Sequence, residues 1–380
     1  MHITPFLANY PELNRIPSPE IFCAEAKNAF LDYLQNGWMI KTGQKALYVY
    51  QIEDGHHRRH TGLVALNEVR DFFAGNVKKH EKTLSERENI HKDLFLRWGA
   101  MLKPVLLTYP PVPEIRDWLL AFAQNAAPFF EVYFANDGQT HRIWMATEAA
   151  DIHYLQTLFA RHVTSVYIAD GHHRTTTLAL LNRQFKQAHP KLDFDHLFCA
   201  FFSTDQLDIQ DYNRVVEGLN GMTPTEFLAQ LSEIADLEPV ENPRKPRKKH
   251  ELKVFLEEHW YRLHWKKETL SAAEAAPGGA AQSAVLLDVN LLNEYVLHRL
   301  LGIHDVRNDA RIMYVEGSKG LKGIRKIARN SRDRVGFALH PVAFSDMMRM
   351  ADAGESLPPK STYFEPRLKS GIIVRMLADK

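Results

Sequence analysis

Asp170, Gly171, His172, His173 and Arg174 form one unbroken run, between an apolar stretch at 166–169 and a leucine-containing segment that follows. Together these residue types offer anion binding with proton transfer close at hand. Arginine is a planar, permanently charged fork that matches a phosphate or a carboxylate. Histidines add donors that exchange protons near neutral pH. Asp-Gly is a strong turn signal, and the glycine tolerates positive φ and lets a ligand approach the backbone. The β-prone run stops at the turn, while Leu178, Leu181 and Phe185 recur at helical spacing. The cluster is therefore expected at a strand-to-helix junction, with His172, His173 and Arg174 at the helix start. Unpaired N–H groups and the positive end of the helix dipole point there and favour an anion. The reading is a phosphate-binding site.

The chain carries its own control. Asp54, Gly55, His56, His57 and Arg58 repeat the same five letters, but strand-like sequence lies on both sides, at 46–52 and 59–66. That copy is expected at the tip of a β-hairpin, where no helix start supports anion binding. Two further places could carry chemistry. His80 and Glu81 precede a helix expected from about 84 to 98; a carboxylate beside a histidine and two lysines could serve as a general base, although acids at helix starts are common for dipole reasons alone. Lys360, Ser361 and Thr362 combine a cation with two hydroxyls, a set suited to phosphate or metal–phosphate contact. No glycine-rich loop precedes them, so they are not a Walker motif.

The elements that must position these residues mix hairpins with helices and do not alternate strictly as strand and helix. That pattern indicates an α+β fold with mixed sheets, not a doubly wound dinucleotide fold. Ser18-Pro19-Glu20 opens a first helix, and Thr223-Pro224-Thr225-Glu226 is a capping box opening another. Strands are expected at 103–109, 129–134, 141–147, 197–202, within 251–266, and at 312–315, 335–339 and 371–377. A helix is expected from 288 to 301, and 271–283, rich in alanine with Pro277-Gly278-Gly279, reads as a mobile loop. The prolines and basic residues between 236 and 249 suggest a linker, giving an N-terminal domain over 1–240 and a C-terminal portion over 250–380.

Composition limits the function classes. With 380 residues, 45% hydrophobic and 24% charged, the chain reads as a globular protein with one large core or two ordinary ones. Its 47 basic and 46 acidic residues leave a net charge of +1, so bulk charge implies no polyanion partner. The basic run 243–250 is short, broken by two prolines and free of aromatics, which favours a solvated loop over a nucleic-acid contact. Cys23 and Cys199 are isolated and give neither a metal spacing nor a disulfide framework. With no apolar run near the ~18 residues that span a bilayer and no signal-like N-terminus, the expectation is a cytoplasmic protein.

The run from Tyr167 to Arg174 resembles the signature of the domain-of-unknown-function family ten-fifteen of bacteria and archaea. The likeness extends in order through residues 80–83, 213–216, 287–289 and 358–362, departing slightly at Leu357 and Arg367. That family in turn resembles a distant branch of the ParB/sulfiredoxin superfamily, which implies a core that binds nucleotide phosphates at a helix start. Sulfiredoxin-like repair needs a cysteine in the motif, and none is there. ParB-like proteins need a DNA-binding face that the charge pattern does not show. The branch that remains resembles free-serine kinases. On that resemblance the chain is expected to be a small-molecule phosphotransferase with L-serine as acceptor and ATP, ADP or pyrophosphate as donor, with Mg²⁺. Gly171, His172, His173 and Arg174 would hold the donor phosphates and Lys360, Ser361 and Thr362 would complete the cradle. His172 is counted among the catalytic groups; Glu81 or Asp170 would take the acceptor's proton, and the other would help hold the metal. The alternative is a nucleotide-binding or DNA-associated regulator without transfer chemistry.

Overall fold

The apolar runs at 47–52, 105–109, 166–169 and 197–202 become strands of one sheet in the computed structural model, which describes residues 1–275 and 286–379. The sheet has nine strands and is mixed. Along its main path the order is Val77–Lys78, Val166–Asp170, Val105–Tyr109, His196–Ser203, Arg59–Glu68, Leu47–Glu53, Gln139–Ala146 and Phe130–Phe134, while Ile3–Thr4 pairs with Arg59–Glu68. Val166–Asp170 runs parallel to Val77–Lys78 and antiparallel to Val105–Tyr109, which in turn runs parallel to His196–Ser203. Strands covered on both faces read as continuous apolar runs, and His196–Ser203 follows that rule, with Phe198, Phe201 and Phe202 fully buried. The expected helices form where their signals stand. Ser18 Oγ accepts the Ile21 N–H at 3.1 Å before Pro19–Gln35, and helices follow at Ser85–Trp98, Pro113–Asn125, Ala149–His162 and His172–Gln184.

The chain divides into two compact units, and the division is not where composition suggests. One unit comprises Met1–Asp208 and the tail from Pro366; the other is Ile209–Glu365. The basic, proline-rich stretch after Ala235 opens as a strand, Ala235–Pro239, paired with His259–Trp265, so it is no linker. The tail belongs to the first unit because Arg375–Met376 pairs with Ala100–Met101, and the buried Arg375 guanidinium bonds the Asp193 carboxylate and the His196 carbonyl. The strand expected over 371–377 shortens to those two residues.

Ile209–Glu365 holds its own six-stranded antiparallel sheet, in the order Ala235–Pro239, His259–Trp265, Glu251–Leu256, Arg334–Ala338, Tyr212–Glu217 and Ile312–Glu316. Helix Gly320–Ala328 lays Ile324 and Ala328 against Val215, Phe255, Val315 and Ala338. The capping box at Thr223 and Glu226 is complete and opens Pro224–Ile234. The loop expected from 271 is helical as far as Glu274, in Lys267–Glu274; its remainder, 276–283, lies outside the described residues. The expected helix at 288–301 is α-helical only over Asp288–Leu291 and continues as a π-helix over Leu292–His298. Within the basic run, Lys245 is tied to the Asp211 carboxylate at 3.0 Å and the Gly317 carbonyl at 2.7 Å.

Candidate functional site

Val166–Asp170 delivers the motif to the sheet end, with one irregularity that the sequence does not announce. Ile168 pairs with Leu107 and Asp170 with Leu106, so Ala169 is an extra residue on this strand. Such a bulge turns the side chain after it out of the regular alternation, a device common beside functional sites. Gly171 follows at φ +106°, a conformation that excludes most other residues. A Cβ there would also lie 2.8 Å from the Arg174 guanidinium. His172–Gln184 then begins. Both the backbone N–H and the hydroxyl of Thr175 donate to the Gly171 carbonyl, at 3.0 and 3.2 Å. The N–H groups of His172, His173 and Arg174 precede that first intrahelical bond and point out of the helix start.

Asp170 is gripped by cations. Its Oδ2 accepts from Lys103 Nζ at 2.9 Å and Arg174 Nη2 at 3.1 Å, and Arg367 stands 3.8 Å from Oδ1. Burial pushes this carboxyl up, but Lys103, Arg174 and Arg367 together hold it well below the usual carboxylate range. Lys103 and Arg367 are site residues that local sequence does not flag. Lys103 sits before a proline at a strand start, and Arg367 is almost two hundred positions away in the tail; only the fold brings them to the turn.

Arg174 does not point outward as a phosphate fork. Its Nη1 donates to the carbonyls of Lys103 and Pro104, at 2.7 and 2.6 Å, and its Nη2 to Asp170. The guanidinium lies under Gly171, bracing the turn from inside, and only 11% of the side chain is exposed. The side chain is thus engaged within the turn and the segment before Val105, and of Arg174 it is the backbone N–H that faces out of the helix start.

The histidines divide in the same way. His172 is buried, its ring packed edge-on against that of His80 with centroids 4.6 Å apart, and its Nδ1 lies 3.8 Å from Glu81 Oε2. Its Nε2 is buried with no hydrogen-bond partner among the described residues. Burial, with the neighbouring His80, drives the His172 ring well below its ordinary value, so it is neutral at physiological pH. Burial alone takes His80 to about 4. His173 stacks on His91 at 6.5 Å, and His91 is lowered to about 4 by burial and by Arg174. Glu81 keeps 36% of its side chain exposed. The structure thus brings Glu81, Asp170, Gly171, His172, His173 and Arg174 together.

Lys360, Ser361 and Thr362 belong to the other unit, where they form a built loop. Lys360 adopts φ +56°, its carbonyl accepts from the buried Arg214 at 3.2 Å, and its ammonium lies 5.3 Å from the centre of the Tyr212 ring. Ser361 Oγ donates to the Pro358 carbonyl at 2.7 Å. The first copy of the motif is a hairpin tip between Leu47–Glu53 and Arg59–Glu68, as its flanks indicate. Among the described residues no group of three or more His, Cys, Asp or Glu side chains is placed to hold a metal ion, and no helix is long and apolar enough to cross a membrane.

Residues 10–290 match the family model "Protein of unknown function (DUF1015)", and the chain belongs to that family. No curated protein matches it in sequence. Among solved structures it is similar to a C-terminally truncated SbnI from Staphylococcus aureus, at 13% identity and TM-score 0.41, covering 81% of this chain and 85% of that one. It is also similar to a variant of free serine kinase in complex with ADP, at 16% identity and TM-score 0.39, covering 83% and 91%. A conserved hypothetical protein from Pyrococcus furiosus gives 14% identity and TM-score 0.36, covering 82% and 95%.

Proposed function

We propose that the chain is a small-molecule phosphotransferase with a ParB/sulfiredoxin-like nucleotide-phosphate-binding core and L-serine as its acceptor. One observation carries the reading: a neutral, buried histidine with an unpartnered Nε2 stands at a helix start, beside a part-exposed carboxylate. The outward N–H groups of residues 172–174 would take the donor phosphates of ATP, ADP or pyrophosphate and stabilise charge moving to the leaving oxygen. Neutral His172 would offer Nε2 to the same phosphates or to the acceptor. Glu81 is the better base of the two carboxylates, because Asp170 is committed to Lys103 and Arg174 and held too acidic to take a proton. For the same reason Asp170 does not suit Mg²⁺. The ion would be held mostly by the donor's own phosphates, whose charge it would neutralise. For Lys360, Ser361 and Thr362 the proposed role is phosphate contact, resting on their side-chain chemistry and on the loop built within their own unit. The sequence resemblance to the free-serine-kinase branch supports serine as acceptor.

The test is a phosphorus NMR spectrum of the purified protein with Mg²⁺, L-serine, and ATP, ADP or pyrophosphate in turn. A new phosphomonoester resonance that disappears with His172→Ala is the expected result and names the donor. Nucleotide signals broadened without a new resonance would retain phosphate binding and remove serine. Unchanged spectra with every donor would overturn the proposal.

A further inference from the structure

Within Ile209–Glu365 lies a cavity of about 70 Å³, separate from every residue discussed so far as a site. Leu287, Val289, Pro341, Val342 and Ala343 make its apolar wall, and Lys249, Asp288, His340 and Asp346 bring polar groups to it. The two carboxylates are not equivalent. Asp346 is already neutralised, with Arg349 bonded to Oδ1 and Lys249 3.8 Å from Oδ2. Asp288 is 95% buried and makes no ion pair with any described residue; its two oxygens share the backbone N–H of His250, at 3.0 and 3.1 Å, and the Trp265 indole is a further neutral donor beside it.

A buried carboxylate without a cation is costly. An asparagine would accept the same His250 N–H without that cost, so tethering His250 does not account for an acid here. Burial, opposed by the His250 N–H, the Trp265 indole and least by Lys249, raises the Asp288 carboxyl to about 7. The residue also opens the helix that turns π-helical at Leu292, a distortion that recurs at functional sites.

We infer that the cavity is a site for a small primary amine, its ammonium group on the Asp288 carboxylate and a short alkyl stem against Leu287, Val289 and Val342. The volume takes more than one water-sized group, which suits an ammonium head with a short stem. The ammonium supplies the charge that Asp288 lacks and displaces its proton. Of the other charged or titratable groups at the cavity, Lys249 and Arg349 are turned to Asp346, His250 faces Asp288 through its backbone N–H with its ring on the Leu286 carbonyl, and His340 lines the wall.

The probe is ethylammonium chloride, added to the full chain carrying carboxyl-labelled aspartate and followed by carbon NMR. The Asp288 resonance is the one missing from Asp288→Asn, an isosteric change that keeps the His250 hydrogen bond. We expect a saturable shift of that resonance, tighter above neutral pH than below it. It should weaken roughly tenfold or more in Ala343→Leu, which fills the cavity from an exposed position. Phosphate or nucleotide binding at the helix start should not change in either variant, so the inference stands or falls apart from the proposed transferase. An Asp288 resonance that does not respond, that shifts equally with tetramethylammonium chloride, or that responds unchanged in Ala343→Leu would overturn it.

Discussion

Asp54–Arg58 and Asp170–Arg174 are the same five residues put to opposite uses, and the difference lies in what surrounds them. In the first copy the aspartate serves its own turn: Asp54 Oδ1 accepts the N–H of His56 at 2.8 Å and of Arg58 at 3.0 Å, and Oδ2 takes the Arg58 side chain at 2.9 Å. The positive φ falls on His57, whose side chain is 89% exposed. In the second copy the aspartate keeps the bond to its own arginine but adds Lys103 and Arg367 from distant sequence, the positive φ falls on glycine, and the first histidine is buried. Register carries the second copy away from the first: Ile168 to Asp170 follows the direction from Leu63 to Val64, away from the hairpin tip. The hairpin satisfies its turn largely from within, with Arg58 also reaching Asp208 at 2.9 Å. A strand-to-helix turn leaves backbone donors open and draws its partners from distant sequence.

Paired substitutions can break this contrast. The largest expected effect is on catalysis: His172→Ala should lower the rate of phosphomonoester formation at least ~100-fold, as loss of a hydrogen bond to the reacting groups does, while His56→Ala and His57→Ala leave it unchanged. Equal losses in both copies would abolish the distinction. Next comes stability. Asp170→Asn leaves Lys103, Arg174 and Arg367 without their shared anion and should cost about 2–3 kcal/mol in denaturant unfolding, while Asp54→Asn should cost less than ~1 kcal/mol. Gly171→Ala is strained by its φ and meets Arg174, and should cost about 1–2 kcal/mol. At Gly55 an added Cβ meets nothing closer than 3.7 Å, so Gly55→Ala should move Tm little.

The smallest effect is on pH dependence, and it has a different window in each copy. His80 and His91 hold off protonation until about 4 when folded, whereas the unfolded chain takes up those protons near ~6.5. The unfolded state therefore binds more protons in between, and stability around the helix start falls as pH drops from about 6.5 towards 4. Asp54 is raised by burial, but the N–H groups of Arg58 and His56 outweigh that and lower it to about 2. Its contribution is intact above the ordinary carboxylate value and is lost only as pH falls from there through about 2. Hydrogen exchange at 172–184 and at 47–68 should separate the two windows. A shared onset would contradict the burial of the histidines.

The parts of this contrast that depend on neighbours in sequence were legible there. Apolar runs on both sides of Asp54 indicate a hairpin, and leucines at helical spacing after Arg174 indicate a helix. The bulge at Ala169 was not legible, because it exists only as a mismatch with Leu106 and Leu107. Residue type carries no direction, so the sequence does not show which way the Arg174 guanidinium turns. It is the carbonyls of Lys103 and Pro104 that turn it inward. The boundary at 208 leaves no mark in composition, because prolines and lysines mark solvent exposure as readily as linkers, and Ala235–Pro239 is an edge strand. Sheet membership of the distant tail leaves no local trace.

That tail has a consequence for how the protein is made. The ribosome releases the chain from the N-terminus, and domains generally fold as they emerge. Here the first unit waits for Arg367 and Arg375, so Ile209–Glu365 must be synthesised, and is free to fold, before the turn that carries Asp170 receives its last cation and Asp193 its guanidinium. The ion-pair sets at Asp170 and Asp193 are thus complete only once nearly the whole chain has been made.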